Sequence, residues 1–149
     1  MNRYRMMIFM IGLCLVAWST GFADDTKLEP KMMTSDEIVW PDQVSSDVQT
    51  LVHAGNPEKE GLYSIRVKIP AGTRLAPHFH PDNRVVVVLS GTLYYGYGTD
   101  FDETNMKALP PGSFFTEPAA QPHFAWARSG DVVLQANAVG PSGTTWLHR

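Results

Sequence analysis

Residues 72–91, GTRLAPHFHPDNRVVVVLSG, decide the fold of this 149-residue chain. They contain His78 and His80, which are separated by one residue and followed by an unbroken apolar run at 85–89. Alternate side chains of a β-strand point to the same face, so histidines at positions i and i+2 lie side by side. Two such imidazoles can supply half of a transition-metal site. A third histidine, His123, follows in another segment flanked by apolar residues, and we expect the three to meet inside a small β-barrel.

Short apolar segments separated by glycine and proline turns dominate the chain beyond residue 48. Residues 62–69, LYSIRVKI, alternate with a period of two, which indicates a strand with one buried face. The run at 84–89 is too apolar to present a solvent face and is predicted to form a central strand. Many short strands at about ten-residue spacing, with no long amphipathic helix, predict an all-β sandwich or barrel. The expected buried face of residues 62–69 consists of Tyr63, Ile65, Val67 and Ile69.

The first 23 residues have the pattern of a secretory signal. Two arginines within residues 1–5 precede thirteen uncharged residues, and Gly21 and Ala23 stand at the −3 and −1 positions of a cleavage site. Thirteen residues are short of the ~20 that a transmembrane helix needs. We therefore expect cleavage after Ala23, a periplasmic or secreted chain, and no membrane association after cleavage.

The expected mature chain is long enough for a single domain with its own core. We expect an N-terminal arm at 24–48, with one helical turn near 35–38, and a barrel domain at 49–149. The single cysteine, Cys14, lies in the expected signal, so neither disulfides nor thiolate ligands are available to the mature chain. The sequence has 12 Lys plus Arg and 15 Asp plus Glu, and removing two signal arginines leaves a net charge of −5. Because no basic patch is present, nucleic acid is not an expected partner.

Residues 72–91 resemble the first motif of the cupin superfamily, which is a glycine, five residues, His-x-His, three or four residues, a glutamate, six residues and a glycine. The two glycines of this motif match Gly72 and Gly91. The second motif, Pro-x-Gly followed by a histidine, resembles residues 110–112 together with His123. The resemblance covers nearly the whole of the expected mature domain.

This resemblance implies a six- to eight-stranded antiparallel jelly roll with a metal ion near the mouth of the barrel. It also implies that His78, His80 and His123 are metal ligands, with a divalent transition metal (Fe, Mn, Ni or Zn) as cofactor and a small molecule as ligand. A homodimer is expected from the resemblance alone. The family's fourth ligand is the glutamate of the first motif, but Arg84 stands at that position.

Arg84 cannot ligate a cation and remains charged. At ~5 Å from a divalent ion, at an effective dielectric constant near 20, its repulsion would amount to roughly 6–7 kcal/mol. Arg84 could turn away and pair with Asp82, it could bind an anionic substrate, or the metal could be absent. A replacement carboxylate could come from Glu117 or from Asp82, and the alternative for Glu117 is a solvated side chain.

Two functions follow from these residues. The first is a small oxygenase acting on an organic acid, a diketone or a phenolic, with Arg84 as substrate anchor and Glu117 as the candidate base. With zinc, an activated water would instead favour isomerase, lyase or hydrolytic chemistry. The second is a non-catalytic protein that binds or senses a small molecule or metal. A third, metal-free variant would have Arg84 filling the vacated site.

Overall fold

The computed structural model describes residues 27–40 and 48–147, so the expected signal at 1–23 lies outside the described residues. Of the expected arm, residues 24–26 and 41–47 also lie outside them. A 3₁₀ turn at Ser35–Glu37 agrees with the predicted helical turn, and a second 3₁₀ turn occupies Glu103–Asn105. No helix in the described ranges is long and apolar enough to span a membrane. The strands are β1 Gln49–Ala54, β2 Gly61–Ile69, β3 Arg74–Phe79, β4 Arg84–Ser90, β5 Leu93–Tyr97, β6 Lys107–Leu109, β7 Phe114–Glu117, β8 His123–Trp126, β9 Val132–Gly140 and β10 Thr145–Trp146.

These strands form two five-stranded antiparallel sheets. The order is β1-β2-β9-β4-β7 in the first sheet and β10-β3-β8-β5-β6 in the second. Neighbours within each sheet are mostly distant in sequence, as in a jelly roll, in which the chain crosses repeatedly between two sheets. The predicted fold class, an all-β antiparallel jelly roll, is confirmed.

The core lies between the two sheets and is built from their inward-facing side chains. The alternation predicted for β2 is confirmed, because Tyr63 and Ile69 are fully buried and Ile65 is nearly so. Val67 is partly buried and packs against the same cluster. Each such apolar side chain contributes roughly 1.5–3 kcal/mol by leaving water. Burial of one face of β2 therefore fixes which side chains of the first sheet point into the barrel.

Strand β4 differs from its prediction in one respect. It is central, with β9 and β7 as neighbours, and Val86 and Val88 are buried. However, Val85 is 51% exposed and Leu89 is 39% exposed. The reason is that an antiparallel sheet needs only one buried face, so even a strand made almost entirely of valine can have its other face in solvent.

The two motif glycines hold the turn before β3 and the turn after β4. Gly72 has φ +81° and Gly91 has φ +74°, a region that favours glycine. A Cβ on Gly91 would lie 2.2 Å from the backbone oxygen of Asp131, whereas a Cβ on Gly72 would meet nothing within 4 Å. The spacing of the first motif therefore reflects two required turns, with β3 of the second sheet and β4 of the first sheet between them.

Candidate metal centre

The three histidines converge in the barrel. His78 and His123 are directly opposite each other in the β3–β8 pair, and His80 lies just beyond the end of β3. Their candidate ligand atoms all lie within 4.8 Å of one another. The ring centroids of His78 and His123 are 4.3 Å apart, and the ring of His80 lies 5.1 Å from that of His123. The predicted convergence of these three side chains is found.

Backbone carbonyls hold one nitrogen of each ring. Nδ1 of His78 lies 2.7 Å from the carbonyl oxygen of Ala76, and Nδ1 of His80 lies 2.7 Å from that of Gly143. The corresponding distance from His123 to the carbonyl oxygen of Gln121 is 3.0 Å. Because a carbonyl can only accept a hydrogen bond, each Nδ1 carries the proton and each neutral ring has its lone pair on Nε2. Backbone contacts of this kind orient histidines that ligate metals.

The rings are kept neutral by their surroundings. Burial lowers the pKa of His80 to about 4, and the charge of Arg84 adds to this effect. Burial also lowers the pKa of His123 to about 3 and the pKa of His78 below its usual value. Nε2 of His123 is buried without a hydrogen-bond partner among the described residues. Leaving such an acceptor unsatisfied costs about 1–3 kcal/mol, which a cation at this point would offset.

A carboxylate enters the centre from the strand beside Arg84. Glu117, the last residue of β7, is the register partner of Arg84, the first residue of β4. Its Oε1 lies 3.5 Å from Nε2 of His123, and its Oε2 lies 3.6 Å from Nε2 of His80. Glu117 is only 8% exposed, so it is not the solvated side chain that the sequence left open. Burial raises the pKa of Glu117 to about 7, although Arg84 acts in the opposite direction.

Arg84 is held by several partners. Its Nε donates to Oδ2 of Asp82 at 3.1 Å, and its Nη2 donates to the hydroxyl of Ser142. Its Nη1 lies 3.7 Å from Oε2 of Glu117. Asp82 also accepts a 2.5 Å hydrogen bond from the hydroxyl of Tyr63. Arg84 therefore forms the ion pair with Asp82 that the sequence suggested, while still touching the centre through Glu117.

A cavity of about 360 Å³ extends from the centre between the sheets. Residues near the C-terminus form part of its wall, and the ring of Trp146 lies 4.5 Å from that of His78. No sequence pattern indicated a role for this segment, because its contacts with β3 come from the pairing of β3 with β10, a strand far from β3 in sequence. The apolar wall of the cavity is formed by Ile65, Val67, Ile69, Leu75, Val86, Leu134 and Ala136.

The aromatic residues Tyr95, Phe114 and Phe124 do not line this cavity. Tyr95 and Phe124 are buried in the barrel, and Tyr95 stacks on His123 with ring centroids 5.5 Å apart. Phe114 is 71% exposed on the outer face of the first sheet. The cavity is therefore mainly aliphatic.

No protein-family model matches the chain. Germin-like protein 5-1 from Oryza sativa subsp. japonica is 33% identical over 67 residues, which cover 43% of this chain and 29% of that protein. The chain thus spans less than a third of the length of the curated relative that it matches.

Solved structures resemble the whole barrel. KdgF from Halomonas sp. superposes with a TM-score of 0.57 at 22% identity, covering 75% of this chain and 96% of that chain. An RmlC-like cupin from Shewanella frigidimarina gives a TM-score of 0.58 at 16% identity, covering 76% of this chain and 94% of that chain. A variant of salicylate 1,2-dioxygenase from Pseudoaminobacter salicylatoxidans gives a TM-score of 0.56 at 17% identity, covering 70% of this chain and 32% of that chain.

These likenesses define a double-sheet jelly roll of the cupin type. At identities below 25%, these likenesses concern the fold alone. The histidine cluster of this chain can hold a metal ion.

Proposed function

We propose that this protein is an exported cupin that binds a divalent transition metal and acts on a small organic acid, phenolic or diketone as an oxygenase. The proposed ligands are His78, His80 and His123, with Glu117 as the fourth. One observation carries the proposal, namely that three neutral imidazole rings and the carboxyl group of Glu117 converge on one centre.

The donor set fits a metal ion. Three neutral Nε2 atoms and a carboxylate face the same point, and the Nε2 atoms of His80 and His123 lie 3.6 and 3.5 Å from the oxygens of Glu117. Acceptors repel one another at such distances unless a proton or a cation lies between them. Imidazole together with carboxylate suits Zn, Fe, Mn and Ni.

Glu117 supports a four-ligand centre despite the loss of the motif glutamate. Glu117 is the register partner of Arg84, so the carboxylate comes from β7, the strand beside β4. Arg84 then pairs with Oε2 of Glu117 and with Asp82. In this proposal Arg84 positions the carboxylate, and its charge is balanced within the protein.

A redox-active ion such as Fe or Mn, when bound, supplies open positions at which O₂ and a substrate oxygen can meet. The chain's own residues do the remaining work. The backbone carbonyls fix the histidine tautomers, and the aliphatic walls of the cavity exclude water from the reacting groups. One of the fold neighbours is named as a salicylate 1,2-dioxygenase, which supports oxygenase chemistry for this fold. Export rests on the signal pattern of residues 1–23 alone.

Elemental analysis of protein purified without chelator tests the metal site. We expect about one equivalent of metal per chain, lost in His80→Ala and retained in His53→Ala, a histidine on β1 outside the cluster. Absence of metal from the unmodified protein would overturn the proposal.

Oxygen uptake with candidate acids, phenolics and diketones separates the enzyme from the non-catalytic alternative. The enzyme should consume O₂ with one of them and lose that activity in His80→Ala. Saturable binding without product would instead favour a binding or sensor protein.

A further inference from the structure

We infer that the substrate is a small monoanion with an apolar body, carrying one anionic oxygen group such as a monocarboxylate or a phenolate. This inference rests on the proposed function, because it places the anionic group at the metal. It follows from the charges around the centre and from the composition of the cavity wall.

The charges near the centre leave room for one negative charge. Arg84 brings one positive charge, and Asp82 and Glu117 each bring one negative charge. The histidines are neutral, since each is buried with its Nδ1 on a carbonyl. With a divalent ion bound, the centre carries a net charge of +1. A buried net charge is costly, and one monoanionic ligand would neutralise it.

Arg84 offers no separate site for a second anionic group. Its Nε and Nη2 donate to Asp82 and Ser142, and Nη2 also lies 3.4 Å from the carbonyl oxygen of Gly143. Its Nη1 faces Glu117. Of the described residues that line the cavity, Arg84 is the only one with a cationic side chain. A second carboxylate on the ligand would therefore find no partner of opposite charge.

The cavity wall on the inner face of the first sheet is mainly apolar, although Thr50, Glu58, Ser142 and Thr144 also line the cavity. Ile65 and Val86 both pair with Ala136 in the register of the first sheet, so the three side chains lie next to each other on its inner face. Hydroxyl groups placed against this surface would lose their hydrogen bonds to water without replacement. The cavity volume of about 360 Å³ lies at the small end of the range of about 300–1,000 Å³ for ligand pockets. A small apolar body fits this space, and a sugar acid does not match its chemistry.

Three six-carbon carboxylates test the inference on the full chain loaded with Mn²⁺. Hexanoate has one charge and an apolar chain, adipate adds a second carboxylate, and gluconate adds hydroxyl groups. By isothermal titration calorimetry we expect hexanoate to bind at least about tenfold more tightly than either of the others. The measurement needs no turnover.

Two variants locate the binding. Ala136→Leu fills part of the cavity and should weaken hexanoate at least about tenfold while leaving Mn²⁺ uptake unchanged. Ala108→Leu, the same change at an exposed position on β6, should bind like the unmodified protein.

The outcomes separate this inference from the proposed function. If Mn²⁺ binds but adipate or gluconate matches hexanoate, the inferred ligand class is wrong and the metal centre stands. The inferred ligand class is equally wrong if Ala136→Leu binds hexanoate as well as Ala108→Leu does. If Mn²⁺ does not bind at all, the proposed function fails and this inference fails with it.

Discussion

Metal binding at this centre should release protons from Glu117, and their number can be worked out from the structure. Burial raises the pKa of Glu117 to about 7 in the metal-free chain. At pH 6 about 0.9 of these carboxyls are protonated, and at pH 8 about 0.1. The histidines add little, because burial lowers the pKa of His80 to about 4 and that of His123 to about 3. Since a ligating carboxylate must lose its proton, each bound ion should release about 0.9 proton at pH 6 and about 0.1 at pH 8.

Calorimetric titration in buffers of different ionisation enthalpy measures this number directly. Mn²⁺ is the ion of choice, since water bound to zinc itself ionises near neutral pH and would add protons of its own. Glu117→Gln should bind Mn²⁺ more weakly and release almost no proton at pH 6. Equal proton release from this variant and the unmodified chain would refute the assignment of Glu117 as a ligand. So would release of fewer than about 0.3 proton at pH 6 by the unmodified chain.

Three further predictions follow from the same geometry. Glu117→Arg should abolish Mn²⁺ binding. The double variant Arg84→Glu, Glu117→Arg should restore the Mn²⁺ affinity to within about tenfold of that of the unmodified chain, because the two positions are register partners. A double variant that binds Mn²⁺ no better than Glu117→Arg would contradict this. Gly91→Ala should lower the free energy of unfolding by more than Gly72→Ala does, because the Cβ added at position 91 meets the backbone of Asp131. Gly72→Ala carries only the ~1–2 kcal/mol cost of its positive φ. Equal losses of stability in urea titrations would contradict the clash. In the metal-free chain the raised pKa of Glu117 gives stability below pH 4.5 that is lost as the pH rises to about 7. Over that interval the free energy of unfolding of Glu117→Gln should therefore rise by about 3 kcal/mol relative to that of the unmodified chain. Parallel pH profiles of unfolding for the two proteins would contradict the burial of this charge.

The local parts of this molecule were predictable from sequence. Alternation identified the buried face of β2, and the two motif glycines around the His-x-His pair identified the turns before β3 and after β4. Both signals are local, since side-chain direction in a strand and positive φ in a turn depend on neighbouring residues. The solvent face of β4 was predicted wrongly, because a run of valines does not show how many layers cover a sheet.

By itself the sequence determined the jelly-roll class, the histidines available to a metal and the guanidinium that replaces the motif carboxylate. Only the tertiary structure decided how that replacement is accommodated. The pairing of β4 with β7 places Glu117 opposite Arg84, and the turn before β4 directs Asp82 onto the guanidinium. The physical reason is that strand register arises from contacts between distant segments, while charge balance in a buried centre depends on which side chains that register brings together.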